Sequence, residues 1–245
     1  AFLYSLIWVA RRFRGRSFAL QQPRLAQIWT ILRLGIPSGA QMIVIFGALT
    51  VILSILNTFG EAVVAGFGAA QRLDALILLP AVALGVAVNA MAAQNIGKQN
   101  WSRVTQVTRA GLALNLTVMV AIAALLYGFA EPLVRLFIQD EASVIFGQSY
   151  LRTIAIFYPC IGLNFILNGT VRGAGAMFQI LMLNIISLWI LRVPLTWLAT
   201  SRFGETGIAL GIGVSFLISC LCAAAYYRWG GWRRVELFKA EAGEA

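Results

Sequence analysis

Residues 206–228 read TGIALGIGVSFLISCLCAAAYYR, and no charged residue interrupts this stretch before Arg228. A helix needs about 20 consecutive apolar residues to cross the hydrocarbon core of a bilayer. The stretch is therefore long enough and apolar enough for one membrane span. Similar stretches recur along the chain, and together they predict six spans at about residues 36–57, 70–94, 104–129, 143–170, 177–199 and 206–228.

The composition of the whole chain also favours a membrane protein. Of its 245 residues, 60% are hydrophobic and 11% are charged, whereas about 25% are charged in an ordinary soluble domain. So few charges cannot cover a water-soluble globule with this much apolar surface. A soluble enzyme, a disordered tail and a nucleic-acid-binding domain are all disfavoured, despite the net charge of +10. The sequence predicts an all-α membrane protein of six transmembrane helices.

The residues outside the predicted spans complete the predicted domain organisation. Residues 1–10 are apolar but too short to cross a bilayer, and we interpret them as the end of a truncated preceding transmembrane helix. Residues 11–35 form a basic cytoplasmic linker and an interfacial helix that Pro23 opens. Residues 36–228 form the six-helix transmembrane lobe, and residues 229–245 form a cytoplasmic tail.

Basic and acidic residues fall in alternate loops, which predicts the topology. The opposite loops carry mainly acidic residues. Lys and Arg concentrate in cytoplasmic loops of membrane proteins, so we predict a multi-pass protein of the cell inner membrane with a cytoplasmic C-terminus. Fourteen of the nineteen basic residues lie in or beside the loops assigned to the cytoplasm: Arg11, Arg12, Arg14, Arg16, Arg24, Arg33, Lys98, Arg103, Arg109, Arg172, Arg228, Arg233, Arg234 and Lys239.

The sequence offers little for catalysis or metal binding. It contains no histidine, which excludes His-ligated metals and catalytic groups of the Ser-His or Cys-His type. Cys160, Cys220 and Cys222 all lie in apolar segments, where a cysteine normally acts as a small buried hydrophobe. We therefore predict no enzyme activity, no catalytic residue, no metal site and no cofactor.

Polar side chains inside the predicted spans are the candidate functional residues. Charges at membrane depth are costly and usually face a bundle interior or a water-filled cavity. The alternative is structural, either an ion pair near the outer interface or hydrogen bonds between helices. Arg192, two residues before Pro194, is predicted to extend towards the outer interface. The residues predicted to line a substrate or ion pathway are Gln41, Arg72, Asp74, Asn164, Asn168 and Arg172.

Five short motifs, in order along the chain, resemble the C-terminal half of a MATE (multidrug and toxic compound extrusion) transporter. Together they extend over about residues 25–230 with the spacing found in that family. The motifs are LRLGIP at 32–37, GAAQRLD at 68–74 with Leu79 and Pro80 downstream, AQNIG at 93–97, VRGAG at 171–175 and RVPL at 192–195.

The resemblance implies one six-helix lobe of a twelve-helix transporter, with a central cavity between this lobe and an N-terminal lobe. It also implies a secondary active multidrug antiporter, which exports organic cations or amphipathic compounds in exchange for H⁺ or Na⁺. Some relatives hold the cation with a Glu and an Asp near the positions of Ile45 and Ile161. Those ligands cannot be transferred to this chain, so the resemblance implies that the coupling acid lies in the other lobe.

The implied partners are a drug-like organic cation, H⁺ or Na⁺, the N-terminal lobe and the lipid bilayer, with no nucleic acid. Two alternatives stay open. A lipid-linked oligosaccharide flippase of the same superfamily would be favoured by an Arg-rich cavity, and a non-transporting membrane partner or scaffold belongs to another class. Arg72 and Asp74, at i and i+2 on a helix, do not face each other, so each needs another partner. The sequence still predicts that a carboxylate beside Arg72 stays ionised and salt-bridged, which would make it a poor proton carrier.

Overall fold

The computed structural model describes residues 25–234, and this part of the chain is built from helices. Residues 34–234 belong to one packing unit. A π-helical turn, Ile186–Arg192, joins the helices Met177–Ile185 and Val193–Phe203, and a 3₁₀ turn, Gly231–Arg234, follows the helix Thr206–Trp229. The predicted helix end over residues 1–10, the linker up to residue 24 and the tail from residue 235 lie outside the described residues. The helices are α1 Leu25–Asn57, α2 Glu61–Ile77, α3 Leu79–Gly97, α4 Trp101–Arg135, α5 Glu141–Ala155, α6 Tyr158–Gly173, α7 Met177–Ile185, α8 Val193–Phe203 and α9 Thr206–Trp229.

Within residues 25–234, five helical segments are long and apolar enough to cross a membrane, and the bent pair α5–α6, counted as one span, makes a sixth. Two of these spans are broken beside a proline. The break between α2 and α3 lies at Leu78, two residues before Pro80, and the 55° bend between α5 and α6 precedes Pro159. Each proline lies in the first turn of the following helix, where its missing N–H leaves no bond unmade. The predicted six-span, all-α membrane fold is confirmed.

Two helices extend past a predicted span boundary at a proline. The span predicted at about 36–57 is part of a longer helix, and Pro37 lies inside α1, because membrane helices tolerate a proline where other groups satisfy the freed backbone. The span predicted at about 104–129 continues past Pro132, and α4 ends at Arg135. The backbone instead departs from helical geometry at Phe129, with φ −115° and ψ 18°. Pro132 then falls in the first turn after this kink, a position that proline accepts.

Asp140 caps the start of α5. Its Oδ2 atom accepts hydrogen bonds from the Ser143 hydroxyl at 2.7 Å and from the Ser143 backbone N–H at 3.0 Å. Hydrogen bonds to the ionised form hold the pKa of the Asp140 carboxyl below its ordinary value. The cap satisfies a backbone N–H that has no acceptor within the helix, so α5 begins at a defined residue.

Glycines allow α3 and α6 to pack backbone against backbone. A Cβ atom built on Gly169 would lie 2.5 Å from the carbonyl oxygen of Gly85, and one on Gly173 would lie 2.8 Å from that of Asn89. Neither distance leaves room for a side chain. The Gly169-xxx-Gly173 pattern in the sequence is typical of such close helix contacts. The contact joins the helix that bears Asn164, Asn168 and Arg172 to its neighbour.

Apolar side chains are found both inside the bundle and on its surface. Phe67, Leu151 and Ile154 are among the fully buried residues of the main core. Ile43 and Phe46 are large apolar residues with most of their surface exposed. A soluble protein rarely exposes a broad apolar surface, whereas a transmembrane helix needs one where it meets lipid.

Candidate functional site

A cavity of about 490 Å³ opens among α1, α2, α3, α5, α6, α7, α9 and the π-helical turn. Its walls combine apolar side chains, such as Ile52 and Phe165, with amides, hydroxyls and a few charged groups. Pockets for drug-sized ligands span roughly 300–1,000 Å³ and have this mixed character. The cavity is therefore large enough for a small amphipathic molecule.

Five of the six predicted pathway residues line this cavity: Gln41, Asp74, Asn164, Asn168 and Arg172. Arg72 is the exception, because its side chain is exposed and lies outside the cavity. Residues two apart on a helix face different sides, so Arg72 cannot share the face of Asp74. Gln71, three residues before Asp74, does share that face and lines the cavity. The structure thus leaves Arg72 outside the cavity, and a role of the other five residues in a substrate or ion pathway stays a prediction.

The Asp74 carboxylate accepts hydrogen bonds from two tyrosine hydroxyls. Tyr158, at the start of α6, donates to Oδ1, and Tyr150 of α5 donates to Oδ2 over 3.4 Å. Both tyrosines are buried, and the Tyr150 ring packs edge-on against Phe67 with 5.2 Å between ring centroids. Two rigid, buried groups from different helices therefore hold this carboxylate at the cavity wall.

The predicted salt bridge of Asp74 is wrong. Within residues 25–234, the ion pairs join Arg135 to Glu131 and Glu141, and none involves Asp74. The donors to Asp74 are neutral hydroxyls instead. Arg72 faces another side of the same helix, as its spacing from Asp74 predicts, and no other guanidinium within residues 25–234 forms an ion pair with this carboxylate.

A polar stripe follows one side of α6 towards its C-terminal end. The Asn168 amide donates to Oδ1 of Asn164, and Nη2 of Arg172 donates to Oε1 of Gln41 on α1 at 3.3 Å. The Arg172 Nε atom is buried and has no hydrogen-bond partner among the described residues. The stripe thus links α6 to α1. The Nε atom of Arg172 remains as a hydrogen-bond donor without an acceptor among the described residues.

Arg192 is a cavity residue that the sequence analysis placed elsewhere. Its Nε atom donates to Oγ of Ser215 on α9 at 3.0 Å, and its guanidinium lies 4.6 Å from the centroid of the Phe216 ring. The prediction that it extends to the outer interface is wrong, because α9 offers an acceptor and an aromatic face inside the bundle. The sequence contained a signal for this role, because Arg192 is a charged residue within a predicted membrane span, and such residues are functional-site candidates by default.

The positions that the resemblance associates with cation ligands are apolar in this cavity. Ile45 of α1 and Ile161 of α6 both lie on its wall. Asp74 is the one acidic residue among those that line the cavity within residues 25–234. Any positive charge that enters from solution therefore meets a single carboxylate on this wall.

Comparisons with known proteins agree with the five motifs. A family model described as MatE matches residues 37–198. A protein of Bacillus subtilis named probable multidrug resistance protein YpnP is 49% identical, over 97% of this chain and 54% of its own length. A probable multidrug resistance protein NorM of Thermotoga maritima is 24% identical, over 91% of this chain and 49% of its own length.

The fold also matches solved structures. The structure of the Vibrio cholerae MATE transporter VcmN in the bent form superposes with a TM-score of 0.87 at 20% identity. The match covers 95% of this chain and 54% of that one. The chain thus spans about half the length of the relatives that it matches. The resemblance stated from the motifs is confirmed.

Proposed function

The chain belongs to the MatE family, and from this premise we propose that it forms one lobe of a secondary active multidrug efflux transporter. The transporter exports organic cations or amphipathic compounds in exchange for H⁺ or Na⁺ across a bacterial-type inner membrane. The observation that carries the proposal is the cavity of about 490 Å³, where Gln41, Asp74, Asn164 and Asn168 project from apolar walls. The names of the two bacterial relatives support the same function.

The chemistry of the cavity suits substrates of varied shape. Apolar residues such as Phe165 and Phe216 can pack against the hydrocarbon or aromatic part of a substrate. Amide side chains both donate and accept hydrogen bonds, so Asn164 and Asn168 can orient different polar groups. Asp74 supplies the negative charge that an organic cation requires.

The proposed mechanism is a rocking motion of two lobes around the cavity. Transporters built from structural repeats bind substrate near the middle of the membrane, and one repeat moves against the other to expose the site to each side in turn. The relatives are about twice as long as this chain, so the second lobe supplies the facing wall. Gln41, Asp74, Asn164, Asn168 and Arg172 form this lobe's share of the pathway.

An efflux assay on a chimera tests this function. Residues 1–245 replace the matching segment of Bacillus subtilis YpnP, and the chimera is expressed in a drug-sensitive strain that lacks its own pumps. We expect ethidium and other cationic dyes to leave these cells faster than cells with empty vector, until an ionophore removes the proton or sodium gradient. A chimera that reaches the membrane and exports none of the dyes, beside an active unaltered YpnP, would contradict the proposal.

A lipid-linked oligosaccharide flippase is a second candidate, because Arg172 and Arg192 both line the cavity. Guanidinium groups are strong donors to phosphate, which such lipids carry. A flippase would restore growth to a strain depleted of its own flippase, and this rescue would require Arg172. A multidrug transporter would export dyes and leave that strain unrescued.

The C-terminus is expected to lie in the cytoplasm, because fourteen of the nineteen basic residues fall on that side of the proposed topology. Alkaline phosphatase fused after Ala245 should stay inactive, since this reporter folds only in the periplasm. The same reporter inserted after Gln139, between α4 and α5, serves as the control and should be active. Strong activity from the terminal fusion would reverse the topology.

A further inference from the structure

We propose that the Asp74 carboxyl group, held between the hydroxyls of Tyr150 and Tyr158, is the site at which this lobe binds a coupling proton. The inference rests on the proposed transport function and deepens it. It also reverses the implication of the family resemblance, which placed the coupling acid in the other lobe.

Three helices meet at Asp74, and the site is continuous with the cavity. Asp74 lies on α2, Tyr150 on α5 and Tyr158 at the start of α6, and each hydroxyl is bonded to a different carboxylate oxygen. Asp74 and Tyr150 both line the cavity. A proton that arrives through cavity water therefore has direct access to the carboxylate.

The neighbouring charged groups leave Asp74 without a counter-ion. Arg192, which lines the same cavity, is engaged with Ser215 and Phe216. Arg172 is bonded to Gln41, and Arg72 is exposed on another face of α2.

The remaining packed elements add no charge on the cavity wall. Residues 34–57 of α1 and all of α3 carry no titratable side chain. The titratable residues of α4 do not line the cavity, and α9 contributes only the thiol of Cys222. No ion pair among the described residues therefore fixes Asp74 in its charged form.

The balance between the two protonation states follows from this setting. An ionised carboxylate in a low-dielectric site without a counter-ion is costly, and hydrogen bonds from hydroxyls offset part of that cost. When water fills the cavity, the ionised form is stabilised. When the cavity closes and dries, the neutral form is favoured. Coupling requires a site whose occupancy differs between two states, and Asp74 meets that requirement.

The proton transfer itself is simple. A proton leaves a hydronium ion in the cavity and forms an O–H bond with a carboxylate oxygen of Asp74, and water remains. Both tyrosines keep their own protons, and the hydroxyl facing the protonated oxygen turns to accept instead of donate. Opening to the other side reverses each step. A proton needs none of the additional oxygen ligands that Na⁺ would require.

The first test detects the proton without relying on transport. The full chain in lipid nanodiscs is studied by infrared difference spectroscopy between mildly alkaline and mildly acidic buffer. Exposed carboxylates stay ionised there, since their ordinary pKa is about 4. We expect a protonated-carboxyl band that Asp74→Asn abolishes and Glu61→Gln retains. Glu61 is the matched control, because it is an exposed carboxylate at the start of the same helix.

The second test asks whether this proton is coupled to efflux. In the chimera with YpnP, Asp74→Asn should lower dye efflux driven by a pH gradient at least tenfold. Asp74→Glu should retain part of the efflux, and Glu61→Gln should leave it unchanged. Tyr158→Phe, which removes one donor, should shift the pH dependence of efflux because Tyr158 positions the carboxyl.

Three results would contradict the inference that Asp74 binds a coupling proton. A band that survives Asp74→Asn, a band that responds to Na⁺ and not to pH, or undiminished efflux in Asp74→Asn would overturn it. If the unaltered chimera exports nothing, the proposed function fails, while the infrared band still shows whether Asp74 takes up a proton. The two failures are therefore distinguishable.

Discussion

Replacing Gly169 with valine is expected to destabilise the six-helix lobe severely. A Cβ atom at this position would lie 2.5 Å from the carbonyl oxygen of Gly85 and 3.3 Å from its carbonyl carbon. Both are backbone atoms of α3, so no side chain can move aside. Overpacking typically costs about 1–3 kcal/mol, and a backbone clash lies at the upper end. At about 2–4 °C per kcal/mol for a chain of this size, the melting temperature in detergent should fall by at least about 5 °C.

The matched control for this variant is Gly128→Val. Gly128 lies on the exposed surface of α4, and a Cβ atom there would meet nothing within 4 Å. The same substitution thus adds the same volume in an open position. Melting measured by size-exclusion chromatography after heating should show a loss for Gly169→Val alone. Equal stability of the two variants would mean that α3 and α6 do not pack through their glycines.

The sequence was sufficient to predict the membrane spans, because an apolar run longer than the bilayer is a local property. The breaks at Pro80 and Pro159 were also predictable, since proline acts on its own turn of helix. The kink at Phe129 was not predictable. It ends one helical segment of α4 and starts the next, which places Pro132 in a first turn. The position of such a kink depends on how α4 packs against its neighbours.

The candidate site was less predictable than the fold. The i+4 stripe of Asn164, Asn168 and Arg172 follows from helical spacing, and all three residues line the cavity. The partners of Asp74 do not follow from spacing, because Tyr150 and Tyr158 lie 76 and 84 residues away. Tyrosines in an apolar span resemble ordinary core residues until the tertiary contact is known.

The prediction for Arg192 failed for a related reason. Extension towards the interface is the usual solution for an arginine near the end of a span. In this fold the π-helical turn that ends at Arg192 packs against α9, which carries Ser215 and Phe216. π-Helical turns are frequent at functional sites. A sequence pattern that reads one span at a time cannot detect a partner supplied by another span.

Residues 1–245 expressed alone are expected to export no dye, although the chain inserts into the membrane. The cavity is formed by one side of a single lobe, and alternating access requires a second lobe to move against it. The relatives that match over about half of their own length support this requirement. The measurement is ethidium efflux from a pump-deficient strain that expresses the chain alone or together with the remaining segment of YpnP.

Co-expression is expected to restore efflux, because helices of separate segments can assemble in a membrane through close packing. An inactive variant of the pair, Asp74→Asn, controls for dye leakage caused by membrane damage. Efflux by residues 1–245 alone, lost in that same variant, would contradict the requirement for a second lobe. It would mean that this lobe, or several copies of it, can open the cavity to both sides of the membrane and drive transport through Asp74 without any other segment.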